Sequence, residues 1–179
     1  MKKNLTNILI FVSILWIIKI LDTIIAYDLL QLGLLPRTFS GLKGIIFAPL
    51  LHANYLHIIS NTIPIAVLLL ALLTFYKEQA FGAILGGVLI GGGLVWIFAR
   101  SAYHVGISGL IYSLSAFLIA AGFYKKDVKS ILISIIIIIL YGGLIWGILP
   151  GRFWVSWEGH FFGAVAGVVM AYVLVKKQK

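Results

Sequence analysis

Residues 105–126 read VGISGLIYSLSAFLIAAGFYKK, a serine between glycines followed by an uncharged apolar run that a lysine pair closes. Roughly 20 helical residues cross the ~30 Å hydrocarbon core of a bilayer, so the stretch reads as a transmembrane helix over 107–124. Working outward, five more runs qualify, at 7–27, 55–75, 80–99, 130–149 and 158–175. They leave two short tails and five connections. The expectation is a single domain over residues 1–179, an all-α integral membrane protein of six spans. Hydrophobic residues make up 62% of the chain and charged residues 11%, and the mean hydropathy is +1.12. A soluble domain carries about 45–50% apolar and about 25% charged residues, and a small one still exposes much of its surface. That excludes a water-soluble fold and a disordered chain.

The runs are continuous and do not alternate, which favours helices over a β-barrel. Ile135 to Ile139 is β-branched and would suggest a strand in water. In lipid the backbone must satisfy its own hydrogen bonds, which overrides that propensity. The first run follows Lys2 and Lys3, yet it is too long for a signal-peptide core and lacks a small-residue cleavage site. Cysteine is absent, so thiol catalysis, thiolate metal sites and disulfides are excluded.

The net charge of +9 could suggest nucleic acid. The basic residues instead form short clusters between apolar runs, so no nucleic-acid partner is expected and the bilayer is the surrounding medium. Lys2, Lys3, Lys77, Lys125, Lys126, Lys129, Lys176, Lys177 and Lys179 fall in the tails and the second and fourth connections. Arg37, Lys43, Arg100 and Arg152 fall in the other three. The positive-inside rule then puts both termini in the cytoplasm, and the terminal lysines against anionic lipid.

Polar groups inside a membrane default to functional hypotheses. His57 and Asn61 are four residues apart, on one face of the second span. His52 precedes His57 by five residues, about 140° around an ideal helix, a poor spacing for a shared metal. No His-Glu-x-x-His occurs, and Asp22 is the one acid well inside a span, paired at i,i+3 with Lys19. Neither a zinc protease nor an aspartic dyad fits, and no cofactor or metal is expected. With the N-terminus inside, the second, fourth and sixth spans all start on the outer side. His57, Asn61, Ser108 and His160 then share one depth. That arrangement permits nucleophilic acyl transfer, with Ser108 as nucleophile and His160 as base. Ser108 opens a helix, where free N–H groups favour an anion. Glu158 is too close in sequence to His160 to orient it, so a dyad is expected and not a triad. Gly163 and Gly167 share the face of His160 and let helices approach closely.

Three motifs, His57-Ile-Ile-Ser-Asn61, Gly106-Ile-Ser108-Gly109 and Gly159-His160-Phe-Phe-Gly163-Ala-Val-Ala-Gly167, resemble in order and depth those of the rhomboid intramembrane serine proteases. The resemblance runs from about Gly41 to the C-terminus. It implies a six-helix rhomboid-like bundle in which Ser108 and His160 form the catalytic dyad. It further implies that His57, Asn61 and the Ser108 N–H bind the oxyanion and that Tyr112 packs beneath His160. His52 resembles a further histidine upstream of the second-span motif. The chain departs from the family in lacking a tryptophan before Arg37 and in having Gly159 for alanine, and it looks like the minimal core. A bacterial inner-membrane protease with its site toward the outer side is implied. Its partners would be transmembrane protein substrates, cut beside a small residue.

A helical substrate resists proteolysis because its carbonyls are engaged, so Gly, Pro or polar residues near the cut are expected. Substrate would pass between the second and fifth spans, with Gly142, Gly143 and Gly147 loosening the fifth and residues from Trp146 to Trp157 capping the site. His104 reads as a loop residue, and Gly82, Gly86, Gly87 and Gly91 to Gly93 as close helix packing. Lys19 and Asp22 read as an ion pair or as snorkelling side chains. The alternatives are a catalytically silent rhomboid-like protein that binds transmembrane clients, and a transporter. The transporter would place ionisable groups at mid-membrane or show repeat symmetry.

Overall fold

The computed structural model describes residues 2–25, 28–151 and 155–176. Its helices are α1 (Lys2–Ile24), α2 (Gly44–Phe47), α3 (Tyr55–Phe75), α4 (Lys77–Phe98), α5 (Ser108–Lys125), α6 (Val128–Tyr141) and α7 (Trp157–Ala171). A 3₁₀ segment, Gly142–Ile148, continues α6, and a π turn, Tyr172–Lys176, continues α7. All but α2 belong to helical stretches long and apolar enough to cross a membrane. The chain is thus all-helical with six spans, and among the described residues the β-pairing is a single isolated bridge, Leu34 with His104.

The spans differ from the sequence expectation at their ends. The first starts at Lys2 and stops by Ile24, because Asp28 begins a new 3₁₀ turn by accepting from the Leu30 N–H at 3.0 Å. Ala26 and Tyr27, expected in that span, lie outside the described residues, as do Arg152, Trp154, Lys177 and Lys179. The third starts at Lys77, three residues early. The fifth does not run as α-helix to 149. It tightens to 3₁₀ at Gly142-Gly143, where two poor helix formers meet.

α5 is the axis of the bundle. Residues on every side of it are buried, from Leu110 through Gly122, as expected of a helix wrapped by others. α7, α6, α3 and α4 pack around it, α4 also packs on α7, and α1 leans on α3. The α5–α7 contact is made by backbone. A Cβ at Gly163 would strike the Gly109 carbonyl oxygen, and one at Gly167 the Ser113 carbonyl oxygen. A Cβ on Gly91 of α4 would lie 3.5 Å from the Gly163 Cα, while Gly86 faces Met170 and Gly82 faces Leu174. Gly82, Gly86 and Gly91 of α4 are thus a seat for α7, while Gly87 meets Ser113 and Leu110 of α5 and Gly92 meets Ile45 of α2.

The first connection is a strap tied to the end of α4. The Arg37 guanidinium donates to the carbonyls of Ile97 (3.2 Å) and Ala99 (2.6 Å), closing acceptors that a helix C-terminus leaves open. Trp96 Nε1 returns a bond to the Thr38 carbonyl at 2.9 Å. In α1, Lys19 pairs with Asp22 at 2.8 Å with both side chains about nine-tenths buried, so the pair is an internal ion pair and not a snorkelling one. Asp22 also accepts from Leu29 N at 3.2 Å, and Trp16 donates to Thr62 on α3 at 3.1 Å.

Gly167→Leu forces the α5 and α7 backbones apart and is expected to destabilise the protein by about 2 kcal/mol or more. Gly93→Ala, where an added Cβ meets nothing within 4 Å, is expected to leave the unfolding midpoint in detergent unchanged or slightly raised. Equal midpoints for Gly167→Leu and the unaltered protein would contradict the backbone contact.

Candidate active site

Ser108 is the first residue of α5, so it sits where N–H groups lack intrahelical partners. The chain reaches it from the Leu34–His104 bridge through Gly106, whose N–H donates to the Ala48 carbonyl at 2.9 Å. Gly106 has φ +117, a region costly for L side chains. A Cβ there would also lie 2.5 Å from Cε1 and 2.8 Å from Nε2 of His57. Glycine is needed at this position for its backbone and for the imidazole that covers it.

His57 stands in the first turn of α3, whose N-cap Asn54 accepts from the His57 N–H at 2.9 Å. Asn61 follows one turn later on the same face, buried, and its Nδ2 has no hydrogen-bond partner among the described residues. A buried donor left open is costly.

His160 lies in the first turn of α7, which Ser156 caps by accepting from Gly159 N at 3.2 Å. His160 Nε2 is 3.0 Å from Ser108 Oγ, and Nδ1 is 2.9 Å from the Gly147 carbonyl oxygen. Its ring stacks on Tyr112 at 4.2 Å and 8°, and the Tyr112 hydroxyl donates to the Leu144 carbonyl at 2.9 Å. Gly109 and Gly163 bring α5 and α7 together next to this pair, whereas Gly167 works deeper, against Ser113. A cavity of about 70 Å³ adjoins Ser108, lined by Gly106, Gly109, Gly163, Ile45 and Val95 among others.

One expectation changes and another gains detail. His52 and His57 are not on one helix, because the extended N-cap Asn54 (φ −152, ψ 172) separates them. Their rings meet edge to face at 5.1 Å instead of pointing 140° apart. Burial, together with the neighbouring His57, pushes the pKa of His52 down from 6.5 to about 4. His104 does lie in the loop before α5, and its contacts there give it a role. It is buried, its Nε2 donates to the Arg100 carbonyl at 3.1 Å, and its Nδ1 accepts from the Ser156 hydroxyl at 2.6 Å. It thereby holds the N-cap of the helix that carries His160, and burial lowers its pKa too. Glu158 turns away from His160 to Arg100 at 3.5 Å. The His104–Ser156 and Arg100–Glu158 pairs join residues more than fifty positions apart, with no local pattern to announce them. Among the described residues no three His, Asp or Glu side chains converge as metal ligands.

Residues 40–177 match the Rhomboid domain family. An uncharacterized protein of Mycobacterium tuberculosis, Rv1337, is 41% identical over 180 residues, covering 94% of this chain and 74% of the relative. An uncharacterized protein of Mycobacterium bovis, Mb1372, matches to the same extent. ML1171 of Mycobacterium leprae is 36% identical over 179 residues, covering 94% of this chain and 70% of its own length. No solved structure matches the chain.

His52 titrates lower in the folded protein than in the unfolded chain, where the value is 6.5. Its neutral form therefore stabilises the fold in full above about pH 6.5, and that contribution drains away as pH falls toward 4. Unfolding midpoints in detergent are expected to drop between about pH 7 and about pH 4.5, and less steeply for His52→Gln, in which His104 still titrates. An equally steep drop in both proteins would sink the assignment.

Proposed function

The chain belongs to the rhomboid family, and from that premise we propose that it is an intramembrane serine endopeptidase cutting transmembrane segments near the outer side of the bilayer. The observation that carries this reading is the 3.0 Å contact between His160 Nε2 and Ser108 Oγ, with Nδ1 on a carbonyl. A carbonyl only accepts, so Nδ1 carries the hydrogen and Nε2 offers its lone pair to the serine.

As Oγ attacks the scissile carbonyl carbon, its proton passes to Nε2 and the carbonyl electron pair moves onto oxygen. The oxyanion develops at the start of α5, facing the Ser108 N–H and the donors of His57 and Asn61. The open Asn61 Nδ2 supports that role. Collapse breaks the C–N bond, and His160 returns the proton to the leaving amine. Water then attacks the ester carbonyl and gives its proton to the same nitrogen, which passes it to Ser108 Oγ as the acyl–Oγ bond breaks, so the reaction needs no cofactor.

The cavity beside Ser108 is walled by glycines and short apolar side chains, which supports a small residue at the cut. The many exposed apolar side chains of α6 suit lateral passage of a substrate helix between α3 and α6. Such a helix must unwind to present a carbonyl, so helix-breaking residues near the cut are part of the specificity. The lysine-rich tails and connections support cytoplasmic termini, and the mycobacterial relatives support a bacterial inner membrane.

A fluorophosphonate probe is expected to label the purified protein and to fail with Ser108→Ala and His160→Ala when both remain folded. Asn61→Ala should lower kcat on a reporter transmembrane substrate by about 10²–10³-fold, the usual loss of one oxyanion donor. Replacing the substrate's helix breaker with Leu should abolish its cleavage. A folded protein that neither labels nor cleaves but retains the substrate would favour the client-binding reading.

A further inference from the structure

We propose that the Gly147 carbonyl does for His160 what a carboxylate does in a catalytic triad, making Gly147 the positioning residue of the base. This rests on the protease reading above. The carboxylate nearest in sequence, Glu158, is engaged with Arg100 at 3.5 Å. What meets His160 Nδ1 is the Gly147 oxygen at 2.9 Å. Neutral imidazole has two tautomers, and only the one with hydrogen on Nδ1 leaves Nε2 free to take a proton from Ser108. A backbone acceptor at Nδ1 selects that tautomer and aims the ring, as the buried aspartate does in triads, without placing a second charge in the membrane.

The carbonyl is held there by the same segment's other contacts. Three residues earlier, the Leu144 carbonyl accepts from the Tyr112 hydroxyl at 2.9 Å, and the Tyr112 ring is the one stacked on His160. The imidazole is therefore gripped on its face and on its edge by groups tied to one 3₁₀ segment, Gly142–Ile148. Elsewhere in the segment Leu144 packs on the core, while Ile145 and Trp146 are exposed. The glycines of the segment are not equivalent. A Cβ at Gly147 would strike the Tyr112 hydroxyl and sit 3.3 Å from His160 Nδ1, whereas one at Gly143 meets nothing within 4 Å. Gly147 brings its carbonyl to the imidazole in a place where a side chain would strike the Tyr112 hydroxyl.

One consequence concerns substrate admission. Displacing the end of α6 to let a helix pass breaks the bond to Nδ1 and frees the tautomer. The base is competent only when the segment is back against His160.

The test compares Gly147→Ala with Gly143→Ala, using 15N NMR of labelled histidine to read the His160 tautomer and His160→Ala to assign its signals. In the unaltered protein Nδ1 is expected protonated and Nε2 bare. Gly147→Ala should mix the tautomers and lower kcat about 100-fold, within the usual range for general-base catalysis, with KM nearly unchanged. Gly143→Ala should alter neither. Adding Tyr112→Phe to Gly147→Ala removes the hydroxyl that the new methyl strikes and should recover part of the tautomer preference. Hydrogen on Nε2 in the unaltered protein would overturn the proposal. So would a Gly147→Ala protein with wild-type kcat, or one whose loss tracks only its unfolded fraction with the tautomer intact. If the unaltered protein neither labels nor cleaves, the protease reading fails, and the tautomer comparison alone still decides whether Gly147 sets the imidazole.

Discussion

The contact on which everything else depends is the backbone approach of α5 and α7. Lipid offers no hydrophobic drive for helix association, so packing must supply it, and small residues give the closest packing. Gly163 lies on the Gly109 carbonyl and Gly167 on the Ser113 carbonyl. Ser108 and His160 each sit within a turn of that crossing. Their 3.0 Å separation is therefore set by two backbones in contact, with no reliance on long side chains reaching across a gap. Gly82, Gly86 and Gly91 of α4 seat α7 as well, and α4 also packs on α5.

A second constraint shapes the connections. Polar groups withdrawn from water must be paired, and here the pairs double as fasteners. Arg37 closes the carbonyls at the end of α4 while tying down the first connection. Lys19 and Asp22 satisfy each other inside α1, and Asp22 also takes an N–H from the following 3₁₀ turn. His104 links the strand-like stretch before Ser108 to the cap of α7. Each of these bonds also locates a piece of backbone, and that of His104 does so at the site.

The central position of α5 explains its composition. A helix wrapped by neighbours need not be apolar toward lipid, so it carries Ser108, Ser113 and Ser115, while α6 exposes isoleucines and leucines and keeps its two serines, Ser130 and Ser134, buried. The glycines expected to loosen the fifth span do change its helix, but one of them, Gly147, is packed tightly against the imidazole.

Length, hydropathy and spacing were enough to determine the six helical spans, because a bilayer admits few alternatives and punishes each unpaired backbone group. The order of three short motifs likewise marked Ser108, His160, His57 and Asn61 as candidates. Span ends were less legible, since helices run on past the apolar stretch at Lys2 and Lys77 and change type at Gly142. The spacing of His52 and His57 misled for a local reason, the extended Asn54 between them. The partners of His104, Arg37 and Gly147 were not legible at all. A hydrogen bond between groups tens of residues apart exists only once helices have packed, and a backbone carbonyl carries no mark in the sequence to say which side chain it will meet.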